Sequence, residues 1–227
     1  MKEKLRFREY WTIWLLLACF CVMGAVVLLR WRSAVRDLPD GVGRPLTQEE
    51  QAEVIARNSP LASYAYLSPN ADFPREQPIR KITIHHMAGD IALERLGEVF
   101  GEQDRQASAN YAVDGQGRVA LYVEEKDRAW TSSSPDNDHQ AVTIEVANDE
   151  TGGDWHVSDT AYAALIDLCV DICRRNGIRE LTWTGDDTGT LTIHKMFNEN
   201  TQCPGPYLES RMADIAEEVT RRLMEDF

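Results

Sequence analysis

Lys81-Ile-Thr-Ile-His-His86 alternates polar and apolar side chains and is rich in β-branched residues, the pattern of a half-buried strand. Strand side chains leave on alternate faces, so Ile82, Ile84 and His86 share one face while Thr83 and His85 share the other. Downstream, Asn110 to Val113 and Arg118 to Val123 flank Asp114-Gly-Gln-Gly117 and predict a hairpin. Ala141-Val-Thr-Ile-Glu-Val-Ala147 reads as a strand carrying a carboxylate, and Leu181 to Thr184 and Leu191 to Ile193 read as two short strands. Helices are predicted between them. The first runs from an Asp90 cap through Phe100, and the second is capped by Ser158 or Asp159 and stopped by Gly177. The last spans about Tyr207 to Asp226. Residues 131–140, with the run Ser132-Ser-Ser134, read as a polar loop and not as a nucleophile site. Interleaved strands and helices with one hairpin predict an α/β fold, a central mixed β-sheet flanked by helices.

Outward from this block, residues 37–78 are punctuated by Pro, Gly and charge and read as a linker. It holds one short helix, starting on the capping box Thr47-Gln-Glu-Glu50, and then an irregular arm. The domain proper is expected over 79–227. Residues 11–29 contain no charge, and as a helix they would rise roughly 28 Å, enough to cross a bilayer core. Trp11, Trp14 and Trp31 suit interfacial anchoring. Lys2, Lys4, Arg6 and Arg8 also fit a secretory signal, but no small-residue cleavage site precedes Arg30. The expectation is an uncleaved single transmembrane helix in an N-terminal segment 1–36, with the domain on the extracytoplasmic side.

Charge is sharply divided. The first 36 residues hold seven Lys/Arg and two Asp/Glu, leaving 17 basic and 35 acidic residues in the remainder. A domain that acidic would approach phosphates against its own field, so nucleic acid is excluded as a partner. Five cysteines, none in a CxxC pair, make neither a disulfide framework nor a structural zinc knuckle.

Several residues stand out chemically. His194 and Cys203 are good zinc ligands nine positions apart, and Cys203 precedes Pro204-Gly-Pro206, a rigid corner. A catalytic zinc needs a third protein ligand, for which His85, His86, His139 and His156 are candidates. His139 and His156 lie in polar stretches and read as solvated. Glu145, between Ile144 and Val146, is costly in an apolar strand unless it is paired or faces a cavity. It is either an Arg-paired structural group or a general base.

Five segments occur in order: Ile82-Thr-Ile-His-His-Met87, Ser108-Ala-Asn-Tyr-Ala-Val-Asp-Gly-Gln-Gly-Arg118, Asp127-Arg-Ala-Trp130, Val142-Thr-Ile-Glu145, and His194 through Thr201-Gln-Cys-Pro-Gly205. Together they resemble the zinc-dependent N-acetylmuramoyl-L-alanine amidases of type 2, relatives of peptidoglycan recognition proteins and phage amidase endolysins, over about residues 67 to 224. The resemblance implies one zinc ion per chain held by His85, His194 and Cys203, with His86 in a supporting role. It implies Glu145 as general base and Thr201 near the developing oxyanion. Trp130 would line the glycopeptide groove, with Asn110 and Tyr111 on the strand beneath it. Peptidoglycan or a muropeptide would be the substrate, cut between N-acetylmuramic acid and L-alanine. One departure is Ala109, where some relatives carry a tyrosine. Two other readings stay open: a non-catalytic peptidoglycan-binding module, and a cysteine hydrolase with Cys203 as nucleophile and His194 as base.

Overall fold

The computed structural model describes residue 23 and residues 38–225. The membrane span expected at 11–29 therefore lies, Met23 apart, outside the described residues. Among the described residues, no helix is long and apolar enough to cross a membrane.

Helix α1 (Gln48–Ala56) starts on its capping box: Thr47 Oγ1 accepts the Glu50 N–H at 3.2 Å, and the Glu50 carboxylate accepts the Thr47 N–H at 2.7 Å. Beyond α1 the chain is not the irregular arm that its prolines suggest. Strand β1 (Ala62–Ala65) runs parallel to β5 (Val119–Leu121) at the edge of the main sheet, and β2 (Ala71–Asp72) pairs antiparallel with β6 (Arg128–Ala129). Arg75 then pins the segment down. Its guanidinium donates to the carbonyls of Glu125, Asp127, Asp138, His139 and Ala141 at 2.6–3.1 Å. The prolines that read as a tether punctuate chain already folded into the domain, so the compact unit starts at Pro39 rather than near residue 79.

The main sheet adds β3 (Lys81–His86), β4 (Tyr111–Val113), β7 (Ala141–Val146) and β8 (Leu191–Ile193) in the order β1-β5-β4-β7-β3-β8. Only the predicted β4–β5 hairpin is antiparallel, so the sheet is mixed, as expected. Ile82, Ile84, Val142, Ile144, Val146, Leu191 and Ile193 form one apolar face. They cluster with Leu165, Leu168 and Ile172 of α4 (Asp159–Asn176) and with Ile215 and Val219 of α6 (Met212–Met224). Helix α4 begins and ends as the sequence predicts, on a Ser158 cap and a left-handed Gly177 at φ +68°. On the other face, α2 (Leu93–Gly101) packs Leu93, Leu96 and Phe100 over Ala112 and Ala120. That same face presents Thr83, His85, Thr143, Glu145 and Thr192.

Four local expectations are corrected. Asp90 does not cap α2; its carboxylate accepts the Gly115 N–H at 3.3 Å. The polar loop 131–140 contains helix α3 (Pro135–Gln140), capped by Ser134 with Pro135 as its first residue. Leu181 to Thr184 forms no strand, because the N–H groups of Leu181 and Thr182 go to the hydroxyls of Thr220 and Thr190. The last helix is split into α5 (Pro206–Glu209) and α6; between them the Arg211 guanidinium stacks 3.6 Å above the Tyr207 ring centre and donates to the Tyr207 carbonyl.

Candidate metal centre and active site

The parallel register of β3 and β8 places Ile84 beside Ile193, so His85 and His194 leave the sheet as neighbours, with ring centres 4.8 Å apart. The turn leading into α5 brings Cys203 against them, its Sγ 3.5 Å from His85 Nδ1. Ligand atoms of His85, His194 and Cys203 all lie within 4.8 Å of one another. Neighbouring backbone fixes the turn. The Lys195 N–H donates to the Cys203 carbonyl, and the Cys203 N–H donates to Thr201 Oγ1, both at 3.1 Å. The His86 N–H points at the Cys203 sulfur, 3.4 Å away. Gly205, at φ +84°, admits the Trp155 side chain; a Cβ there would sit 2.8 Å from Trp155 Cβ.

Burial sets the protonation of this cluster. It drives His85 well below the usual imidazole range, with His194 and His86 adding repulsion, and it lowers His194 as well. Both rings are thus neutral near pH 7, the state in which imidazole binds a metal. Burial and the nearby Glu145 carboxylate push the Cys203 thiol up, so without a cation its sulfur holds its proton and is a poor nucleophile. That weighs against the cysteine-hydrolase reading. Two imidazoles and one sulfur are a protein donor set suited to a catalytic zinc site, and the residues fit that ion.

Glu145 lies opposite His85 in the β3–β7 register and on the same face. Its Oε2 is buried with no hydrogen-bond partner, and so is His85 Nε2. No arginine pairs with Glu145 among the described residues, which removes the structural ion-pair reading. Burial lifts its carboxyl to about 8, opposed in part by Arg105. An orphaned carboxyl beside three ligand atoms is expensive to bury, and such groups call for a chemical role.

The other predicted residues divide. Trp130 lines a groove of about 380 Å³ that reaches His194 through Thr131 and Ser133, so it stands beside the cluster. Thr201 is half-buried next to Cys203. Asn110 and Tyr111, expected under a substrate groove, are instead closed off. The Asn110 side chain joins β4 to β7 by accepting the Thr143 N–H at 3.0 Å, and donates to the Val123 carbonyl, also at 3.0 Å. Tyr111 points into the apolar face, where its hydroxyl donates to Glu125 at 2.7 Å. Neither reaches solvent. Ala109 is fully buried in the cluster beneath α2. His139 is also not solvated: it is buried on α3, where its Nδ1 accepts the Glu76 N–H at 3.1 Å. His156 pairs with Asp149 at 2.6 Å, and His86 packs edge-on against Trp155. Sequence reasoning passes over Trp155 and Ser133. Ser133 Oγ lies 3.4 Å from His194 Nε2, yet nothing in a run of three serines marks the middle one.

The family model for N-acetylmuramoyl-L-alanine amidase matches residues 75–206 of this chain. By structure the chain is similar to PlyL, with TM-score 0.53 and 17% identity over 69% of this chain and 95% of that one. The catalytic domain of XlyA gives TM-score 0.53 and 14% identity over 69% and 97% of the two chains. A selenomethionine derivative of AmpD gives 0.52 and 16% over 70% and 93%. At such identities the likeness is one of fold. No curated protein matches the chain.

Proposed function

Because the chain belongs to the N-acetylmuramoyl-L-alanine amidase family, matched over residues 75–206, we propose that it hydrolyses the amide between N-acetylmuramic acid and the L-alanine of the peptidoglycan stem, using one zinc ion and Glu145. Its enzyme class is that of the family. The observation that carries the reading is the convergence of His85, His194 and Cys203 within 4.8 Å, beside an orphaned Glu145 on the same sheet face. This convergence also disfavours a purely binding module, since a recognition surface has no need of a buried unpaired carboxyl.

His85, His194 and Cys203 would hold the zinc, which would supply Lewis acidity and lower the pKa of water toward about 7. The protein's own groups do the rest. Glu145, lifted by burial to about 8, is tuned near working pH to take the proton of the attacking water and return it to the leaving amine. Thr201 Oγ1 accepts the Cys203 N–H, which leaves its own O–H free to donate to the carbonyl oxygen as charge develops there. Trp130 and the groove beside it would seat the glycopeptide. The uncharged run at 11–29 would anchor the chain in the cell membrane, with the domain outside. Sequence alone supports that anchor, and retention in the membrane fraction after alkaline washing tests it.

The deciding experiment is mass analysis of products from a muropeptide panel, with and without a chelator. Release of intact stem peptides, abolished by chelator and restored by zinc, is expected. Release that survives chelation and is lost only on thiol alkylation would overturn the metal reading, and no release at all would overturn the hydrolytic one.

A further inference from the structure

We propose that Ser133 is the positioning residue for His194: its hydroxyl holds one ring nitrogen and thereby presents the other to the metal. The inference rests on the zinc reading of the site.

A ligand imidazole is oriented by whatever its second nitrogen bonds, and this also decides which nitrogen keeps the lone pair. For His85 Nε2 the described residues supply no such partner. For His194 they supply one, Ser133 Oγ at 3.4 Å from Nε2. That oxygen is already an acceptor, because the Asn198 side-chain amide donates to it at 3.4 Å. A hydroxyl has two lone pairs, so a proton on His194 Nε2 is the second donor it can take. With its proton on Nε2, His194 donates to this oxygen and Nδ1 is left with the free pair.

The chain spends structure to put Ser133 there. Its backbone is left-handed at φ +64°, a conformation a serine rarely adopts. Residues on both sides are tied down. Buried Asp138 accepts the N–H groups of Thr131 and Ser132 at 3.1 Å and the Ser132 hydroxyl at 2.6 Å. Ser134 caps α3 through the Asn137 N–H, and Asn137 in turn donates to Thr83 beneath at 2.9 Å. Between two anchored neighbours, the left-handed turn is what aims the Ser133 hydroxyl at His194. Strain kept at such a point is commonly part of a site's mechanism. Asn198 follows His194 in the turn after β8, its N–H bonded to the His194 carbonyl at 3.2 Å. Ser133 therefore bridges the α3 loop to the segment that carries the ligand.

The test compares the parent full-length chain with Ser133→Ala and Ser133→Gly, measuring zinc affinity by chelator competition and the visible spectrum of the cobalt-substituted protein. Both variants are expected to bind zinc about tenfold to a hundredfold more weakly, with a shifted cobalt spectrum. Ser133→Gly removes the backbone constraint along with the hydroxyl, so its metal-free melting temperature should equal or exceed that of the parent; this keeps the test intact if Ser133→Ala folds poorly. Zinc affinity within about twofold of the parent and an unchanged cobalt spectrum in Ser133→Gly would overturn the inference, since loss of a ligand's hydrogen-bond partner weakens binding by more than that. A parent that takes up no zinc would instead sink the metal reading itself, and this inference with it.

Discussion

On β3, β7 and β8 the two faces of one sheet carry opposite chemistry, although the residues that build them alternate along the same strands. One face is Ile82, Ile84, Val142, Ile144, Val146, Leu191 and Ile193, closed by two long helices. The other is Thr83, His85, Thr143, Glu145 and Thr192, where threonine hydroxyls bond to one another and to Asn137 and Thr131. Stability is concentrated on the first face. Reactivity sits on the second, at the carboxyl ends of parallel strands, where open α/β sheets hold their ligands. A half-polar strand in this fold is thus not a solvent-facing one. Its polar half is mostly buried too, with Glu145 half-buried, and its orphaned atoms are His85 Nε2 and Glu145 Oε2.

Substitutions on opposite faces should therefore fail in different ways. The largest effect is expected from Cys203→Ala, which should abolish zinc retention and reduce turnover of muropeptide below detection. Metal content by elemental mass spectrometry and product release check both, and an active zinc-free variant would dissolve the distinction between the faces. Next, Glu145→Gln should lower kcat by roughly 10²- to 10⁴-fold while zinc content is retained.

The same substitution sharpens the comparison through pH. Burial raises the Glu145 carboxyl in the folded chain from 4.5 to about 8, so the folded state binds its proton more tightly than the unfolded state does. Stability of the metal-free protein should therefore fall as pH rises from about 4.5 to 8, since the unfolded state binds fewer protons there. Glu145→Gln should remove that part of the decline, which denaturant midpoints measured at about pH 5 and about pH 8 would reveal. Equal slopes for parent and variant would show that Glu145 is not held neutral.

On the apolar face, Ile144→Ala should cost about 2–5 kcal/mol, read from chemical denaturation, with zinc affinity of the folded protein retained. The smallest effect is expected for Asn110→Ala. It leaves the Thr143 N–H unpaired and should cost about 1–3 kcal/mol, with KM for a muropeptide unchanged. A raised KM at full stability would return Asn110 to the substrate groove.

Much of this is legible along the chain because the physics behind it is local. The β-branched alternation of 81–86, the α1 capping box, the Ser158 cap and the Gly177 stop act within a few residues and appear where the sequence puts them. The ligand set comes from ordered motifs, and the structure brings His85, His194 and Cys203 together. Errors cluster where a contact from far along the chain decides. Residues 62–72 look like a tether until β5 and β6 are there to pair with them, and the five carbonyls that hold Arg75 come from positions 125 to 141. The sequence puts Asn110 and Tyr111 at the start of the correct strand, but the partners that close them off come from far along the chain: Thr143 and Val123 for Asn110, and Glu125 for Tyr111.

Residue type and period are written locally, and so the order of residues was enough to determine the α/β pattern and which side chains could do chemistry. Only the tertiary structure decided which of those side chains share a site. Parallel pairing of β3 with β7 and β8 puts His85 beside Glu145 and brings His194 next to it, and burial there leaves the two rings neutral and the carboxyl unpaired. A strand's own residues set its faces, but its neighbours set what each face meets.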